Sequence, residues 1–274
     1  MSKAIHPFND RKTAICKYEP IELNGLVYHP ITMEHYTQWQ ALKPVLCIRQ
    51  GTLPAVYACM TYLQCVWALN CEAEMPGKMV GFRGIWNSLA YILFLSLRLS
   101  DEDMIQPLGN QDSPNILTSI RIVKDGKAFE ISAFDFQIAR KLIADQNGAV
   151  LPDEADNPEL VEAADDIRSK DNTPLHYDMG DMLTSVACAK GIRRNKLFAW
   201  PIREFEDELR ALKRKYGYFL AAIAECNNAR FSNGNPYPSW LFDREKDEYA
   251  GLVSMEQLQA AHHASITQQD QRPM

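Results

Sequence analysis

The stretch Ser119–Gly148, SIRIVKDGKAFEISAFDFQIARKLIADQNG, decides the fold of this chain of 274 residues. Ile120-Arg121-Ile122-Val123 and Ala128-Phe129-Glu130-Ile131 flank Asp125-Gly126, a two-residue turn pair that suits a tight β-hairpin. Ser132 then stands where a helix N-cap belongs, with Asp135 three residues on as a capping-box partner. Ile131 and Phe136 are spaced for a hydrophobic staple across the cap. Phe134, Ile138, Leu142 and Ile143 make an apolar stripe, and Asn147-Gly148 supplies a C-terminal stop. The pattern predicts a hairpin feeding a helix over residues 133–147.

A second stretch repeats this layout about a hundred residues earlier. In Pro20–Gln40, PIELNGLVYHPITMEHYTQWQ, Ile21-Glu22-Leu23 and Leu26-Val27-Tyr28 flank Asn24-Gly25. Thr32 is placed as an N-cap, Ile31 and Tyr36 as the staple, and the helix is expected to stop before Pro44. An internal duplication and independent use of the same local signals both fit.

Between the two units, Thr52 is placed to cap a helix running through Val56, Met60, Leu63, Trp67 and Leu69 to about Cys71, with Pro54 in its first turn. Met75-Pro76-Gly77 breaks it. Ile85–Leu99, IWNSLAYILFLSLRL, is the most apolar segment, but it is too short to span a bilayer and reads as a buried helix. Residues 100–118 carry Pro107, Gly109 and Pro114 and read as polar linker. After the second hairpin come an acidic loop from Pro152 to Asp156 and a short helix opened by Asn157-Pro158. A helix from Asp178 to Lys190, stopped by Gly191, follows. Pro201 opens a long helix with Ile202, Phe205, Leu209 and Leu212, a Glu206/Arg210 pair at i,i+4, and an apolar continuation Tyr216–Cys226 with a kink at Gly217.

The expected fold is therefore mainly α with two short β-hairpins, an α+β chain whose helices form a bundle in two related hairpin–helix halves. The expected organisation is an N-terminal arm (1–17), a first half (18–100), a linker (101–118), a second half (119–255) and a Gln-rich disordered tail (256–274).

Composition narrows the function. A net charge of −6 and a pI near 5.6 argue against general nucleic-acid binding, which needs a basic face. The runs Arg193-Arg194-Asn195-Lys196 and Lys213-Arg214-Lys215 read as solvated surface. The seven cysteines show no C-x-x-C spacing and lie in apolar runs, which suggests buried reduced thiols in a cytosol. The N-terminus, MSKAIHPFNDRK, lacks a signal-peptide core.

Catalytic patterns for phosphate binding, dinucleotide binding, metalloprotease zinc or a nucleophile elbow do not occur. His29 and His35 read as surface or capping residues. His176-Tyr177-Asp178 has a base beside an acid but no nucleophile. Asp101-Glu102-Asp103 and Asp165-Asp166 lack calcium-loop spacing, and His262-His263 sits in the tail. The expectation is a chain without catalytic, cofactor or metal residues. Its best candidate for contact with a partner is Asn235–Trp240, NPYPSW, where two prolines restrain Tyr237 and Trp240. The other reading of Trp240 is a plug for the domain core.

Phe129-Glu130-Ile131-Ser132, Phe136, and Ile143 with Gln146-Asn147-Gly148 resemble the tail assembly chaperones encoded in the tail-morphogenesis modules of bacteriophages of Firmicutes. The order of elements is similar: a strand into a capped helix, a Gln-Asn turn, an acidic loop, a later helix ending at Gly191, and a closing Trp240-Leu241. Ile31–Tyr36 also resembles the start of such proteins. The likeness covers about residues 20–50 and 119–242 and is one of layout. It implies a host-cytoplasmic, non-enzymatic protein without cofactors that keeps the tape-measure protein soluble and hands it to tail-tube subunits through exposed apolar grooves. It implies no nucleic-acid or membrane partner, and homo-oligomerisation stays open. A structural minor tail or connector protein, and an enzyme with an unrecognised site, remain as alternatives.

Overall fold

In the computed structural model the described residues are 5–75, 80–110, 113–154, 178–228, 230–231 and 235–242. They form two three-stranded sheets and eight α-helices. β1 (His6–Pro7) precedes α1 (Arg11–Cys16), and β2 (Ile21–Leu23) and β3 (Leu26–Tyr28) make the first hairpin. β1 lies parallel to β2, giving the order β1-β2-β3. A 3-10 turn leads into α2 (Tyr36–Leu46); α3 (Ala55–Ala58), α4 (Tyr62–Ala73) and α5 (Ile85–Leu97) follow. β4 (Met104–Asn110), β5 (Ser113–Lys124) and β6 (Lys127–Ser132) form an antiparallel meander. The chain continues through α6 (Phe136–Gln146), α7 (Met179–Lys190) and α8 (Ile202–Cys226). The α+β class is as expected from the sequence.

Both hairpins turn through two residues of positive φ, Asn24 and Gly25 in one and Asp125 and Gly126 in the other. That is the backbone a two-residue primed turn requires. Gly25 is needed twice over, because a Cβ there would stand 3.2 Å from the Phe129 ring of the other hairpin. The likeness extends into the helices. α2 starts at Tyr36 and α6 at Phe136, and each has 11 residues.

Several expectations change on the structure. Residues 101–118 are no linker: β4 and the start of β5 occupy them, in the same sheet as β6. The described residues of both expected halves fall in one compact unit, residues 1–154 with 177–243. The N-terminal arm is tied down within its described residues, with His6 Nε2 held 2.6 Å from Glu19 Oε2. The helix expected from Thr52 is split; α3 is one turn, and α4 starts afresh at Thr61. The Thr61 hydroxyl accepts from Gln64 N while the Gln64 side chain accepts from Thr61 N, a complete capping box. α8 is a single helix across Gly217.

The caps are also redistributed. Thr32 makes no side-chain cap and instead bridges Pro201. Ser132 ends β6; its hydroxyl accepts from Asp135 N at 3.0 Å and donates to Asp135 Oδ2, and the α-helix proper begins at Phe136. The buried face of α6 is Phe136, Ala139, Leu142 and Ile143, whereas Phe134 and Ile138 are exposed. Asp178 and Gly191 cap α7 as the sequence implies, Gly191 at φ +63. The expected helix after Asn157 and the tail from residue 256 lie outside the described residues.

One core unites these elements. Ile21, Tyr28, Ile31 and Trp39 share it with Leu63, Leu89, Leu93, Ile120, Phe136, Ile143 and Phe205. α4 and α5 form the expected helical hairpin, with Trp67 edge-on to Trp86 at 5.2 Å. α4 also packs on β5, so the helices rest on the sheet as well as on one another. Among the described residues no helix is long and apolar enough to cross a membrane.

α6 ties the second unit to the first at two places. Asn147, at its C-terminus and fully buried, accepts a hydrogen bond from Ile31 N at 2.7 Å and donates to Ile143 O. Gln146 Nε2 donates to Tyr28 O at 3.2 Å. Nearly two turns earlier, buried Arg140 donates through Nε and Nη2 to Leu46 O, the last carbonyl of α2, at 2.9 and 2.6 Å. Its guanidinium lies 3.5 Å from the Tyr62 ring centroid. The segment after β3 is then clamped from the other side, for Ile202 N donates to Ile31 O and Met33 N to Trp200 O. This bridge fixes where α8 begins.

Candidate protein-binding surface

α8 leaves the bridge at Pro201 and carries one apolar stripe along its length: Ile202, Phe205, Leu209, Leu212, Tyr216, Phe219, Leu220 and Ile223. The spacing of three and four residues keeps these side chains on one side of the helix. At about 1.5 Å per residue, the 25-residue helix is about 37 Å long. The domain covers only its first half. Ile202 and Phe205 are fully buried, and Leu209 and Leu212 pack partly against the core. Beyond them the same stripe is bare: Tyr216 is 58% exposed, Phe219 49%, Leu220 69% and Ile223 59%. Contiguous exposed apolar surface of this kind marks interaction sites.

α7 flanks the covered half, with Lys190 paired to Glu208 at 2.7 Å. Where α7 and α8 diverge, a cleft of about 490 Å³ is lined by Ser185, Cys188 and Ala189 on one wall and Leu209, Leu212, Lys213 and Tyr216 on the other. The cleft runs into the bare half of the stripe.

The segment Asn235–Phe242 lies on another face of α8. A Cβ at Gly217 would stand 2.8 Å from three atoms of the Tyr237 ring, so only glycine lets that ring rest on the helix. Asn235 Nδ2 donates to Glu225, and Arg214 Nε donates to Trp240 O at 3.2 Å. Ser239 Oγ accepts from Leu241 N and Phe242 N, closing a turn. Of the two candidates named from sequence, Tyr237 is therefore half-buried and pins the segment. Trp240 is 52% exposed, and its neighbours Leu241 and Phe242 are exposed too. Trp240 is not a core plug. The sequence reading missed Tyr216, Phe219, Leu220 and Ile223 as a surface. The available signal was the length of the stripe, which outruns any single neighbour.

The titratable residues considered from sequence lead elsewhere. His29 is half-buried, with Nδ1 shut away from solvent, and does not stand at a helix end. Burial, with Arg98 and Lys124 nearby, lowers its pKa to about 4. Asp103 is held below the usual carboxylate range by hydrogen bonds from Ser100 N and Asp125 N, so it joins two turns. Arg210 pairs with Asp207 at 3.1 Å rather than with Glu206. Burial raises the Glu206 pKa. A cleft of about 380 Å³ is lined by Ile31, Thr32, Glu34, His35, Phe94 and Arg98. Asp165-Asp166, His176-Tyr177 and His262-His263 lie outside the described residues. All seven cysteines are free, but only Cys65 is buried; Cys16, Cys59, Cys188 and Cys226 are exposed. Among the described residues no group of three or more His, Cys, Asp or Glu is placed to hold a metal ion. Comparison with protein-family models, curated proteins and solved structures finds no match to this chain.

Proposed function

We propose that this chain is a phage tail assembly chaperone that holds the tape-measure protein soluble in the host cytoplasm and releases it to tail-tube subunits. The observation that carries the reading is the bare second half of the α8 stripe, with the Trp240–Phe242 segment on the same helix. A chaperone that covers amphipathic helices needs an apolar face of its own that the domain core leaves open. Nucleotide, metal and cofactor play no part in this mechanism; binding is stoichiometric and reversible. The choice of client rests on the resemblance in layout to tail-morphogenesis proteins. Co-expression with the tape-measure protein of its own gene cluster tests it. The expected result is a soluble complex that survives chelator and needs no ATP. Recovery of the chain as a stoichiometric component of purified virions would instead make it a structural tail protein.

A further inference from the structure

The bare stripe of α8 has a charge frame. At about 100° per residue, Lys213 and Lys215 fall roughly 70–90° to either side of the centre of Tyr216, Phe219, Leu220 and Ile223. Both lysines are exposed, and among the described residues neither makes an ion pair. Glu225, the acidic residue of this half, falls on the far side of the helix, where it accepts from Asn235. On a chain of net charge −6 this exposed apolar stripe is thus bordered by a lysine on each edge. This is the arrangement in which charges beside an apolar seam select the partner helix.

We propose that this face takes an amphipathic helix whose apolar stripe is flanked by carboxylates. The client helix lies along Tyr216–Ile223 with one end in the cleft between α7 and α8, and its acidic flanks meet Lys213 and Lys215. A second copy of this chain fits poorly. Parallel pairing would set lysines against lysines, and antiparallel pairing about Phe219 and Leu220 would set Lys213 and Lys215 against Cys226 and Ala224. The proposal rests on α8 being a protein-binding surface, and does not depend on the tape-measure protein being the client.

Two synthetic helical peptides of roughly 18 residues test it, long enough to form a helix on binding. Both carry leucines at i, i+3, i+4 and i+7; one has glutamates on both flanks of the stripe, the other lysines. By titration against the full chain, the glutamate peptide is expected to bind about tenfold tighter, with the preference fading in high salt. The double variant Lys213→Glu/Lys215→Glu should reverse the order, and Leu220→Asp should abolish binding of both with an unchanged thermal melt. Equal binding of the two peptides, or an order that the double variant leaves unchanged, overturns the proposal. So does a large drop in melting temperature for Leu220→Asp, which would show the stripe covered by the chain itself. A dimer that Leu220→Asp dissociates would assign the face to a second copy and overturn it equally. If the glutamate peptide binds as expected while the tape-measure protein fails to co-purify, this inference stands and the client named above falls.

Discussion

Asn147 and Ile31, 116 residues apart in sequence, are joined by a buried hydrogen bond of 2.7 Å from the Ile31 backbone N–H to the Asn147 side-chain oxygen. Ile31 is also the residue whose carbonyl accepts from Ile202 N. One residue therefore links the first hairpin, the end of α6 and the start of α8. Asn147→Leu would leave a buried amide without its acceptor, at a cost of about 1–3 kcal/mol. Urea denaturation should show the loss with an unchanged m-value, and a variant as stable as wild type would contradict the role.

Arg140 is the second tie. Replacing it removes two charge-assisted hydrogen bonds to Leu46 O and the contact with the Tyr62 ring. Arg140→Ala should cost about 3 kcal/mol. Arg140→Lys should recover little, since an ammonium cannot reproduce the planar fork. Full rescue by lysine in the same denaturation assay would show that only charge matters there.

These ties mark where sequence reading stops. The hairpins, α5, α7 and the start of α8 were legible because each is written in local signals: Asn24-Gly25, Asp125-Gly126, an apolar run, Asp178 with Gly191, and Pro201. β4 was not, because Pro107 and Gly109 read as loop. Pro107 is tolerated on an edge strand, whose second side needs no ladder hydrogen bond, and the register shifts at Gly109. The start of α4 was missed because the apolar run from Val56 to Leu69 hides Thr61, although Thr61 with Gln64 is a stronger cap than Thr52. Gln146 and Asn147 read as a helix stop; that they also hold Tyr28 and Ile31 is long-range information that no local pattern contains. For α8, periodicity gives the stripe, but the same periodicity holds whether a neighbour covers it or not.

The caps give a paired test. Thr61→Ala and Ser132→Ala each remove a hydroxyl that accepts a backbone N–H, from Gln64 and Asp135. Each should cost about 1 kcal/mol. Thr52→Ala should cost less, because its hydroxyl only donates to Arg49 O within a 3-10 turn. Thermal melts that rank Thr52→Ala as the most damaging of the three would contradict the assignment.

His29 predicts a pH dependence. Its pKa falls from 6.5 to about 4 in the folded chain. As pH drops below 6.5 the unfolded chain takes up a proton that the folded chain refuses, so stability falls from pH 6.5 to about 4 and levels off below. The contribution is on the order of 1–3 kcal/mol. His29→Asn should flatten that part of the stability profile. An unchanged slope between pH 6.5 and 4 would place the titration elsewhere.

The central proposal is that the bare half of α8 holds the tape-measure protein. The most direct measurement is the soluble yield of the co-expressed tape-measure protein with wild type and with Leu220→Asp/Ile223→Asp, alongside a thermal melt of each form of this chain. Both side chains are exposed, so the melts should coincide. Wild type should keep the tape-measure protein in solution in a complex that the double variant fails to form. Equal soluble yields with wild type and a well-folded double variant would contradict the claim.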